Sequence, residues 1–390
     1  MTRTLVVTND FPTRQGGIES FVYALCDRLP PDDVVVYTAS MPGDTEFDAG
    51  LPFRVVRDRA STLLPTPAVA RRTADVLRAE RCDSVLFGAA APLGLLAPAL
   101  RRAGAGRIVG LTHGHETWWA RVPGARRALG RIGDGCDVLT YVSEFCRNRI
   151  ASALSSSAAD RMVRLAPGVS TDRFFPGCGG DELRAELGIP TDRPVLVSVA
   201  RMVPRKGQDT LIRAMPSVLA RVPDALLLLV GDGPDRSRLE RLVDDTDVRS
   251  SVHFAGPVPW SEAPTWFDVG DVFAMPCRTR MGGLEPEALG IVFLEAQACG
   301  HTVLVGDSGG APETVRHGET GYVVDPFNPV AVAAKAADLL GDLDEARAMG
   351  KQGREYVEAE WEWSASVSTL RDLLPQGHSR GLLRPPQDVV

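Results

Sequence analysis

Lysine is scarce in this chain. Of its 43 basic residues only three are lysines, and Lys206 is the only one in the first 334 residues. Acidic residues outnumber basic ones by 50 to 43, so the net charge is -7. The chain therefore lacks the overall positive field that is typical of nucleic-acid-binding proteins, and no nucleic-acid partner is expected. A lysine kept at one position among so many arginines becomes a candidate for a specific role.

Paired cysteines are also lacking. The seven cysteines are odd in number and scattered, and no two have the C-x-x-C spacing of a zinc or redox motif (positions 26, 82, 136, 146, 178, 277 and 299). This distribution indicates reduced thiols in a cytoplasmic protein.

No long hydrophobic run is present. The longest uncharged stretch, Ser84–Leu100, has 17 residues and is interrupted by two glycines and two prolines. A buried strand followed by a helix fits it better than a membrane span. At the N-terminus the chain reaches Asp10 too soon for the apolar core of a signal peptide. We therefore expect a cytoplasmic protein whose membrane contact, if any, is peripheral.

Short apolar runs alternate with helical periodicity almost throughout the sequence. The predicted strands are residues 5–8, 34–38, 84–87, 108–112, 138–142, 194–199, 225–230, 252–255, 271–275, 302–305 and 321–324. Such alternation predicts an α/β protein with parallel sheets covered by helices on both faces, and 390 residues suit two domains. We predict doubly wound domains at 1–168 and 169–360 that face a central cleft, with a hinge at 167–192. A helix at about 361–376 is a candidate to pack back on the first domain, before a disordered tail at 377–390.

The segment Glu287–Glu295 places two carboxylates around an uncharged, largely apolar run. It follows a predicted strand, and Gly290 permits a tight turn before a helix over residues 291–299. Free N–H groups and the positive end of the helix dipole meet at such a point, so an anion such as phosphate is expected there. The two acids could bind sugar hydroxyls.

Arg201 and Lys206 follow the predicted strand 194–199 directly. Ligands of parallel sheets lie at the carboxyl ends of strands. A lysine ammonium acts on phosphate as a mobile point charge, whereas an arginine fork holds a fixed bidentate geometry. A solvated charge at a helix start is the alternative interpretation.

Gly16 and Gly17 follow the first predicted strand and allow the backbone to approach a ligand closely. The spacing is not G-x-G-x-x-G, and no acid ends the second strand, so a dinucleotide site is poorly supported. A plain tight turn is the alternative.

A polar cluster, His113-Gly-His115-Glu116, ends the predicted strand 108–112. Three potential ligands in four residues could hold zinc, but neither H-E-x-x-H nor a cysteine pair supports a metal. A substrate-facing His113 is favoured, with a structural histidine as the alternative. The pair Asp245 and Asp247 closes an amphipathic stretch and is interpreted as a solvated helix end.

Seven arginines but only one acid lie between Arg101 and Arg131, close to Trp118 and Trp119. On an acidic protein this local excess of positive charge suits an anionic membrane surface or an anionic acceptor, although a solvated face is an alternative.

In chain order, these motifs resemble the retaining GT-B glycosyltransferases of the GT4 family. The resemblance is carried by Gly16-Gly17, His113, Ser198–Arg201, Lys206-Gly207, Gly231–Gly233 and Glu287–Glu295. Within that family, the segments 9–12, 112–116 and 277–286 are most similar to the GDP-mannose-dependent phosphatidylinositol monomannoside mannosyltransferases.

The resemblance implies a nucleotide sugar in the second domain and an anionic glycolipid acceptor in the first, at the inner face of the cell membrane. By position, Arg201 and Lys206 would hold the diphosphate, Glu295 the ribose and Glu287 the sugar. The remaining expected contacts are Gly290, Ile291 and Val292 with the sugar phosphate, Gly256–Val258 with the base, Gly16 and Gly17 with the diphosphate, and His113 with the sugar. The loop 277–286 is longer than in many relatives and leaves open whether Glu285 or Glu287 faces the sugar.

We therefore expect mannosyl transfer from GDP-mannose with retention of configuration, and neither a metal nor another cofactor is required if cations and the helix dipole stabilise the leaving diphosphate. A UDP-glucose or UDP-N-acetylglucosamine enzyme remains the nearest alternative. A nucleotide-dependent oxidoreductase and a non-catalytic sugar-nucleotide-binding protein are more distant ones.

Overall fold

The chain forms two compact units. The computed structural model describes residues 3–14 and 16–375. One unit contains the chain up to Pro167 and again from Ser364, and the other spans Gly168–Trp363. The predicted tail, 377–390, lies outside the described residues.

The first unit is built on a seven-stranded parallel sheet. Its strands are Thr4–Thr8 (β1), Val34–Ala39 (β2), Arg54–Asp58 (β3), Ser84–Phe87 (β4), Arg107–Gly110 (β5), Val138–Tyr141 (β6) and Val163–Arg164 (β7). Their order is β3-β2-β1-β4-β5-β6-β7. Strands β1, β2 and β4 are buried along their whole length, as expected for central strands covered on both faces.

Ten helices belong to the described part of the first unit. They are Gly17–Asp27 (α1), Asp44–Ala49 (α2), Pro67–Ala79 (α3), Ala90–Leu93 (α4), Ala97–Ala103 (α5), Glu116–Trp119 (α6), Pro123–Gly135 (α7), Glu144–Ala151 (α8), Ser156–Asp160 (α9) and the C-terminal Trp363–Leu373 (α17). Helix α17 is tied to this unit because Arg107 Nε donates to the Leu373 carbonyl at 3.0 Å, and Ser366 Oγ donates to the Ala166 carbonyl at 2.8 Å.

The second unit has a six-stranded parallel sheet in the order β10-β9-β8-β11-β12-β13. The strands are Val195–Val199 (β8), Leu226–Val230 (β9), Val252–Gly256 (β10), Val272–Met275 (β11), Thr302–Gly306 (β12) and Gly321–Val324 (β13). The helices are Gly180–Glu186 (α10), Gln208–Leu219 (α11), Arg236–Asp245 (α12), Ala263–Asp268 (α13), Ile291–Ala298 (α14), Pro329–Gly341 (α15) and Leu343–Glu360 (α16).

The core of the second unit lies between its sheet and helices α11, α12 and α15. Leu196, Leu227 and Ala274 from the strands pack there with Leu211 and Val332 from the helices. Because the strand residues of this cluster alternate along the chain, as Leu227 and Leu229 do, they belong to one face of the sheet, which is held against the helices by apolar burial.

The predicted α/β architecture with two doubly wound parallel sheets is confirmed. The sequence analysis did not predict two of the strands, β3 and β7. Strand β3 carries charged residues at both ends, Arg54 and Asp58, because it lies at the sheet edge. Strand β7 has only two residues, Val163 and Arg164, at the opposite edge. Neither shows the apolar run that marks a central strand.

Candidate active site

The strand order of the second unit reverses at β8, which lies between β9 and β11. The connections leave β8 and β11 towards different sides of the sheet, and such a switch point is where parallel sheets bind ligands. Arg201 and Lys206 follow β8, and Glu287 follows β11. These three predicted residues thus follow the two strands that border the switch point.

Lys206 and Glu287 form a direct ion pair. Lys206 Nζ donates to Glu287 Oε2 at 2.8 Å, although 81 residues separate the two in the chain. Only 12% of the lysine side chain and 10% of the glutamate side chain are exposed. A pair this well shielded is screened little by salt, so each charge holds the other in place.

The charges around Glu287 keep its carboxylate ionised. Burial by itself would raise its pKa, but attraction to Lys206 and Arg205, with the hydrogen bond from Lys206, outweighs burial and lowers the pKa below the ordinary value of 4.5. Glu287 is therefore a carboxylate acceptor for hydroxyl groups at neutral pH.

Gly207 brings Lys206 to the end of β11. Its φ is +79°, and a Cβ built there would lie 2.0 Å from the Pro276 carbonyl oxygen. Only glycine fits this left-handed turn and close approach. The short 3₁₀ turn Pro204–Lys206 precedes it and α11 follows at once, so the lysine stands where the β8 loop crosses β11.

The loop after β12 fixes the backbone of Glu287. Glu287 N–H donates to Ser308 Oγ at 3.2 Å, and Gly310 N–H donates to the Glu287 carbonyl at 2.9 Å. The Ser308 hydroxyl also lies 2.9 Å from the Thr279 hydroxyl. Three loops at the carboxyl edge of the sheet therefore position one carboxylate.

Helix α14 begins directly beyond this carboxylate. Gly290, the residue before the helix, has φ +86°, and the helix runs Ile291–Ala298, close to the predicted range. The first amides of a helix have no partner within it and carry the positive end of the helix dipole. The amides of Ile291 and Val292 belong to this first turn, next to Glu287.

Glu295 lies in the same helix but in a different environment. It is 3% exposed, and its Oε2 atom is buried without a hydrogen-bond partner among the described residues. Burial raises its pKa to about 8, even though Arg173 acts in the opposite direction. At neutral pH this carboxyl is mostly protonated, so it can donate as well as accept a hydrogen bond.

Arg201 and Arg205 occupy the loop after β8. The Arg201 side chain is exposed and has no ion pair within residues 3–14 and 16–375, so the structure does not join it to Lys206 and Glu287. Arg205, to which the sequence analysis gave no role, does join them, since Nη1 reaches the Pro286 carbonyl at 3.5 Å and its charge lowers the pKa of Glu287.

Val258 follows β10, the edge strand two places from β8, and is partly buried. Nearby, Arg173 lies with its guanidinium 5.3 Å from the centre of the Trp260 ring, and it donates to the Trp260 carbonyl. Because Arg173 also interacts electrostatically with Glu295, this side of the site connects the β10 loop with α14.

Glu285 does not share the position of Glu287. Its carboxylate pairs with Arg280 at 3.4 Å, and its side chain is 36% exposed. Glu287 is the acid that contacts Lys206. The geometry therefore separates the two acids left open by the sequence.

In the first unit, Gly16 precedes helix α1, which starts at Gly17. A Cβ at Gly16 would lie 2.4 Å from Glu19 Oε2, whereas one at Gly17 would meet nothing within 4 Å. Glu19 is buried, burial raises its pKa, and Arg14 lies 3.9 Å from it. Gly16 thus leaves room for an acid that faces the turn.

His113 lies at the carboxyl end of β5, and its ring is held on one side. Nε2–H donates to the Gly88 carbonyl at 2.5 Å, and the ring meets Phe21 edge-on at 5.7 Å. Burial lowers its pKa, so the imidazole is neutral and Nδ1 is its acceptor.

Glu116 stabilises the loop that carries His113. It is fully buried and accepts hydrogen bonds from the backbone N–H groups of His113 and Gly114 at 3.0 and 3.1 Å.

A cavity of about 320 Å³ opens at the same edge of the first sheet. Its lining includes Asn9, Asp10, Arg14, Thr62 and His115. Asn9 is fixed on both sides, since Nδ2 donates to the Leu63 carbonyl at 2.9 Å and Oδ1 accepts from Leu63 N–H at 2.6 Å. The sequence analysis gave none of these five residues a substrate-binding role, although it considered His115 as a metal ligand and used residues 9–12 for the family resemblance. Polar residues after β1 were the available signal.

Within the described ranges, no three His, Cys, Asp or Glu side chains come together as a metal site. Asp245 ends helix α12, and neither it nor Asp247 is buried. All seven cysteines are free thiols.

Two family models cover most of the chain. Residues 15–173 match the model described as Glycosyltransferase Family 4, and residues 180–356 match Glycosyl transferases group 1. The division between the matches falls near the boundary of the two units.

Close relatives align over nearly their full length. The GDP-mannose-dependent alpha-(1-6)-phosphatidylinositol monomannoside mannosyltransferase of Mycolicibacterium smegmatis is 48% identical over 95% of this chain and 97% of that protein. The Mycobacterium tuberculosis protein of the same name is 47% identical over 96% and 98%. A mannosyltransferase of Corynebacterium glutamicum described as acting on the monoacylated acceptor is 43% identical over 95% and 97%.

Solved structures share the fold. Anabaena HepE in complex with UDP superposes with a TM-score of 0.80 at 17% identity, covering 95% of this chain and 99% of that one. A sucrose-phosphate synthase of Thermosynechococcus elongatus gives 0.78 at 23% identity, over 95% and 98%. The predicted GT-B fold and the predicted family are thus confirmed, and the chain belongs to the family 4 glycosyltransferases.

Proposed function

We propose that this chain transfers mannose from GDP-mannose to a phosphatidylinositol mannoside with retention of configuration. Relatives at 43–48% identity over 95–96% of the chain are named GDP-mannose-dependent phosphatidylinositol monomannoside mannosyltransferases, in one case for the monoacylated acceptor. The observation that carries the proposal is the buried Lys206–Glu287 pair at the N-terminal end of α14. It combines a cation for a diphosphate with a carboxylate for sugar hydroxyls in one place.

Lys206 and Arg201 would hold the diphosphate of the donor, together with the first-turn amides of Ile291 and Val292. Cleavage of the sugar–phosphate bond builds negative charge on the departing diphosphate. Cations and oriented N–H groups that bind this charge more tightly in the transition state accelerate the step. The same groups make a metal unnecessary in this proposal, and the leaving phosphate can accept the proton of the attacking hydroxyl.

Glu287 would accept hydrogen bonds from the hydroxyls of the mannose, and Gly290 would admit the sugar phosphate close to the backbone. Glu295, largely protonated at neutral pH, would bind the ribose hydroxyls, with Val258 beside the base. A carboxyl that donates one hydrogen bond and accepts another suits two neighbouring hydroxyls.

In the first unit, Gly16 and Gly17 would face the diphosphate and His113 would meet the mannose. With Nε2–H committed to the Gly88 carbonyl, Nδ1 can accept from a sugar hydroxyl. The cavity lined by Asn9, Asp10 and Arg14 is the proposed place for the headgroup of the anionic acceptor.

The proposed membrane surface is the region Arg101–Arg131. No described helix is long and apolar enough to span a bilayer. On and before helix α7, Arg121, Arg126, Arg127 and Arg131 are exposed, and Trp118 and Val122 are about 40% exposed. Arginines beside exposed aromatic and aliphatic groups suit an anionic leaflet, and this supports the proposed location at the inner face of the cell membrane.

Thermal-shift measurements with GDP-, UDP- and ADP-sugars test the donor. A ligand that binds only the native state at 100 times its dissociation constant stabilises it by about 2.7 kcal/mol, so the preferred base should stand apart. We expect GDP-mannose to give the largest shift and radiolabelled mannose to appear in phosphatidylinositol dimannoside. A larger shift with UDP-glucose or UDP-N-acetylglucosamine, and transfer from it, would replace the proposal.

A further inference from the structure

The loop after β11 contains a tight hairpin whose tip exposes two apolar side chains. Arg280 N–H donates to the Glu285 carbonyl at 3.2 Å, Glu285 N–H donates to the Arg280 carbonyl at 3.3 Å, and their side chains form an ion pair. Between them, Met281 is 70% exposed and Leu284 is 40% exposed. The hairpin is thus closed by polar contacts at its base and apolar at its tip.

The backbone of this tip is unusual as well. Met281 has φ +51°, a left-handed conformation shared with only two other non-glycine residues in the described ranges, Arg81 and Asp247. Glycine or asparagine normally occupies such a position, so methionine carries a conformational cost. A large apolar side chain that is held in a strained turn and directed into solvent points to a contact made outside the unit.

The hairpin is continuous with the active site. Glu287 lies two residues beyond Glu285, and Arg278 lies two residues before Arg280. The Arg278 guanidinium lies 5.9 Å from the centre of the Phe327 ring, on the loop after β13, and Phe327 is 66% exposed. The carboxyl edge of the second sheet therefore carries exposed apolar groups next to arginines, close to Glu287, the carboxylate proposed to bind the sugar.

We propose that the hairpin Arg280–Glu285 inserts Met281 and Leu284 into the acyl region of the leaflet that carries the acceptor. This inference rests on the proposed function, in which the acceptor is a membrane lipid. The two apolar side chains would enter the hydrocarbon boundary while Arg280, whose side chain is 40% exposed, stays among anionic headgroups. The second unit would then contact the membrane itself, in addition to the arginine-rich surface of the first unit.

Two double variants at the same positions test this. Met281→Gln with Leu284→Gln keeps the side-chain size and removes the apolar character, whereas Met281→Leu with Leu284→Met keeps both. The probes are vesicles of phosphatidylcholine and phosphatidylinositol that contain phosphatidylinositol monomannoside. We expect the glutamine pair to lower vesicle co-sedimentation and mannose transfer about tenfold, the loss expected when two partly inserted apolar side chains become polar. The Leu/Met exchange should retain wild-type values.

Assays with the deacylated, water-soluble headgroup of the same acceptor distinguish a failure of the hairpin inference from a failure of the proposed function. The glutamine pair should transfer mannose to it at the wild-type rate and keep the GDP-mannose thermal shift. Equal losses with soluble and vesicle acceptors would overturn the hairpin inference, as would unchanged vesicle binding or a changed oligomeric state by light scattering. If the wild-type protein transferred mannose to neither acceptor, the proposed function would fail, while vesicle co-sedimentation would still decide on the hairpin.

Discussion

Glu287 and Glu295 are both buried in one short segment, but their surroundings shift their pKa values in opposite directions. Glu287 meets Lys206 and Arg205, and its pKa falls below 4.5. Glu295 has one oxygen without a hydrogen-bond partner among the described residues, and burial raises its pKa to about 8 against the opposite effect of Arg173. The comparison shows that burial alone does not set the protonation of a carboxyl; the charges brought by other loops do.

The difference suits the two proposed tasks. A fixed carboxylate beside a lysine is an acceptor with a defined direction, whereas a neutral carboxyl can both donate and accept. Two identical side chains eight positions apart thereby supply different hydrogen-bonding groups at the same pH. The following changes test this distinction.

Replacement of Lys206 by Ala should have the largest effect, a loss of about 10³-fold in kcat, or about 4 kcal/mol. It removes the proposed charge on the diphosphate and leaves Glu287 buried without its ion-pair partner. Steady-state transfer from GDP-mannose measures it, and Lys335→Ala, at a lysine that pairs with Asp338 on an outer helix, is the control. Near-normal turnover of Lys206→Ala would refute the role of this residue.

The Glu295→Gln variant should change the pH dependence of stability. The folded-state pKa lies near 8 and the unfolded one near 4.5, so the native state binds an extra proton between these values. Stability from this group is full below pH 4.5 and is lost as pH rises through 8, at about 1.4 kcal/mol for each pH unit between the two values. Thermal melts from pH 4.5 to 9 should show wild type falling relative to the variant. Parallel curves would mean that Glu295 is ionised throughout.

Gly207→Ala should destabilise the chain by about 2–3 kcal/mol, since it adds a clash with the Pro276 carbonyl to the cost of a left-handed alanine. The matched control is Gly318→Ala, which has nearly the same φ, +82°, but nothing within 4 Å of the new Cβ. It should lose only about 1 kcal/mol in a urea titration. Equal losses would show that the approach of the β8 loop to β11 is not tight.

The smallest change is expected for Glu287→Gln in acid. The folded pKa of Glu287 is lowered, so its contribution to stability is present above pH 4.5 and is lost as pH falls through the folded pKa. Below pH 4.5, the free energy of unfolding of wild type relative to the variant should therefore fall by about 1 kcal/mol. This is the net contribution of a typical hydrogen bond. A difference that instead grew in acid would contradict the ion pair.

The sequence predicts the central strands because their apolar runs are visible in the local sequence, without knowledge of the neighbouring strands. It misses β3 and β7, whose edge positions tolerate charge and short length. Lys206 and Glu287 are predictable because both follow strands that end at the same edge of a sheet. The roles of Arg205 and Ser308 are not, because their contacts with residues 286 and 287 depend on how loops far apart in sequence come together.

The sequence does not predict the protonation state of Glu295 either. Its spacing from Glu287 suggests two equivalent acids. Only the three-dimensional surroundings show that Glu287 pairs with Lys206, whereas Glu295 has no ion pair among the described residues. For Arg201 the sequence predicts more than the structure brings together. The residue follows β8 as expected, but its side chain contacts neither Lys206 nor Glu287.

The rarity of lysine has a practical consequence for chemical labelling. Amine-selective acylating reagents would find only three side-chain targets, of which Lys206 is 12% exposed and bound to a carboxylate, whereas Lys335 is 33% exposed and Lys351 is exposed. Mass-spectrometric comparison of labelling at these positions would therefore report directly on whether the ion pair is closed, with two internal references in the same polypeptide.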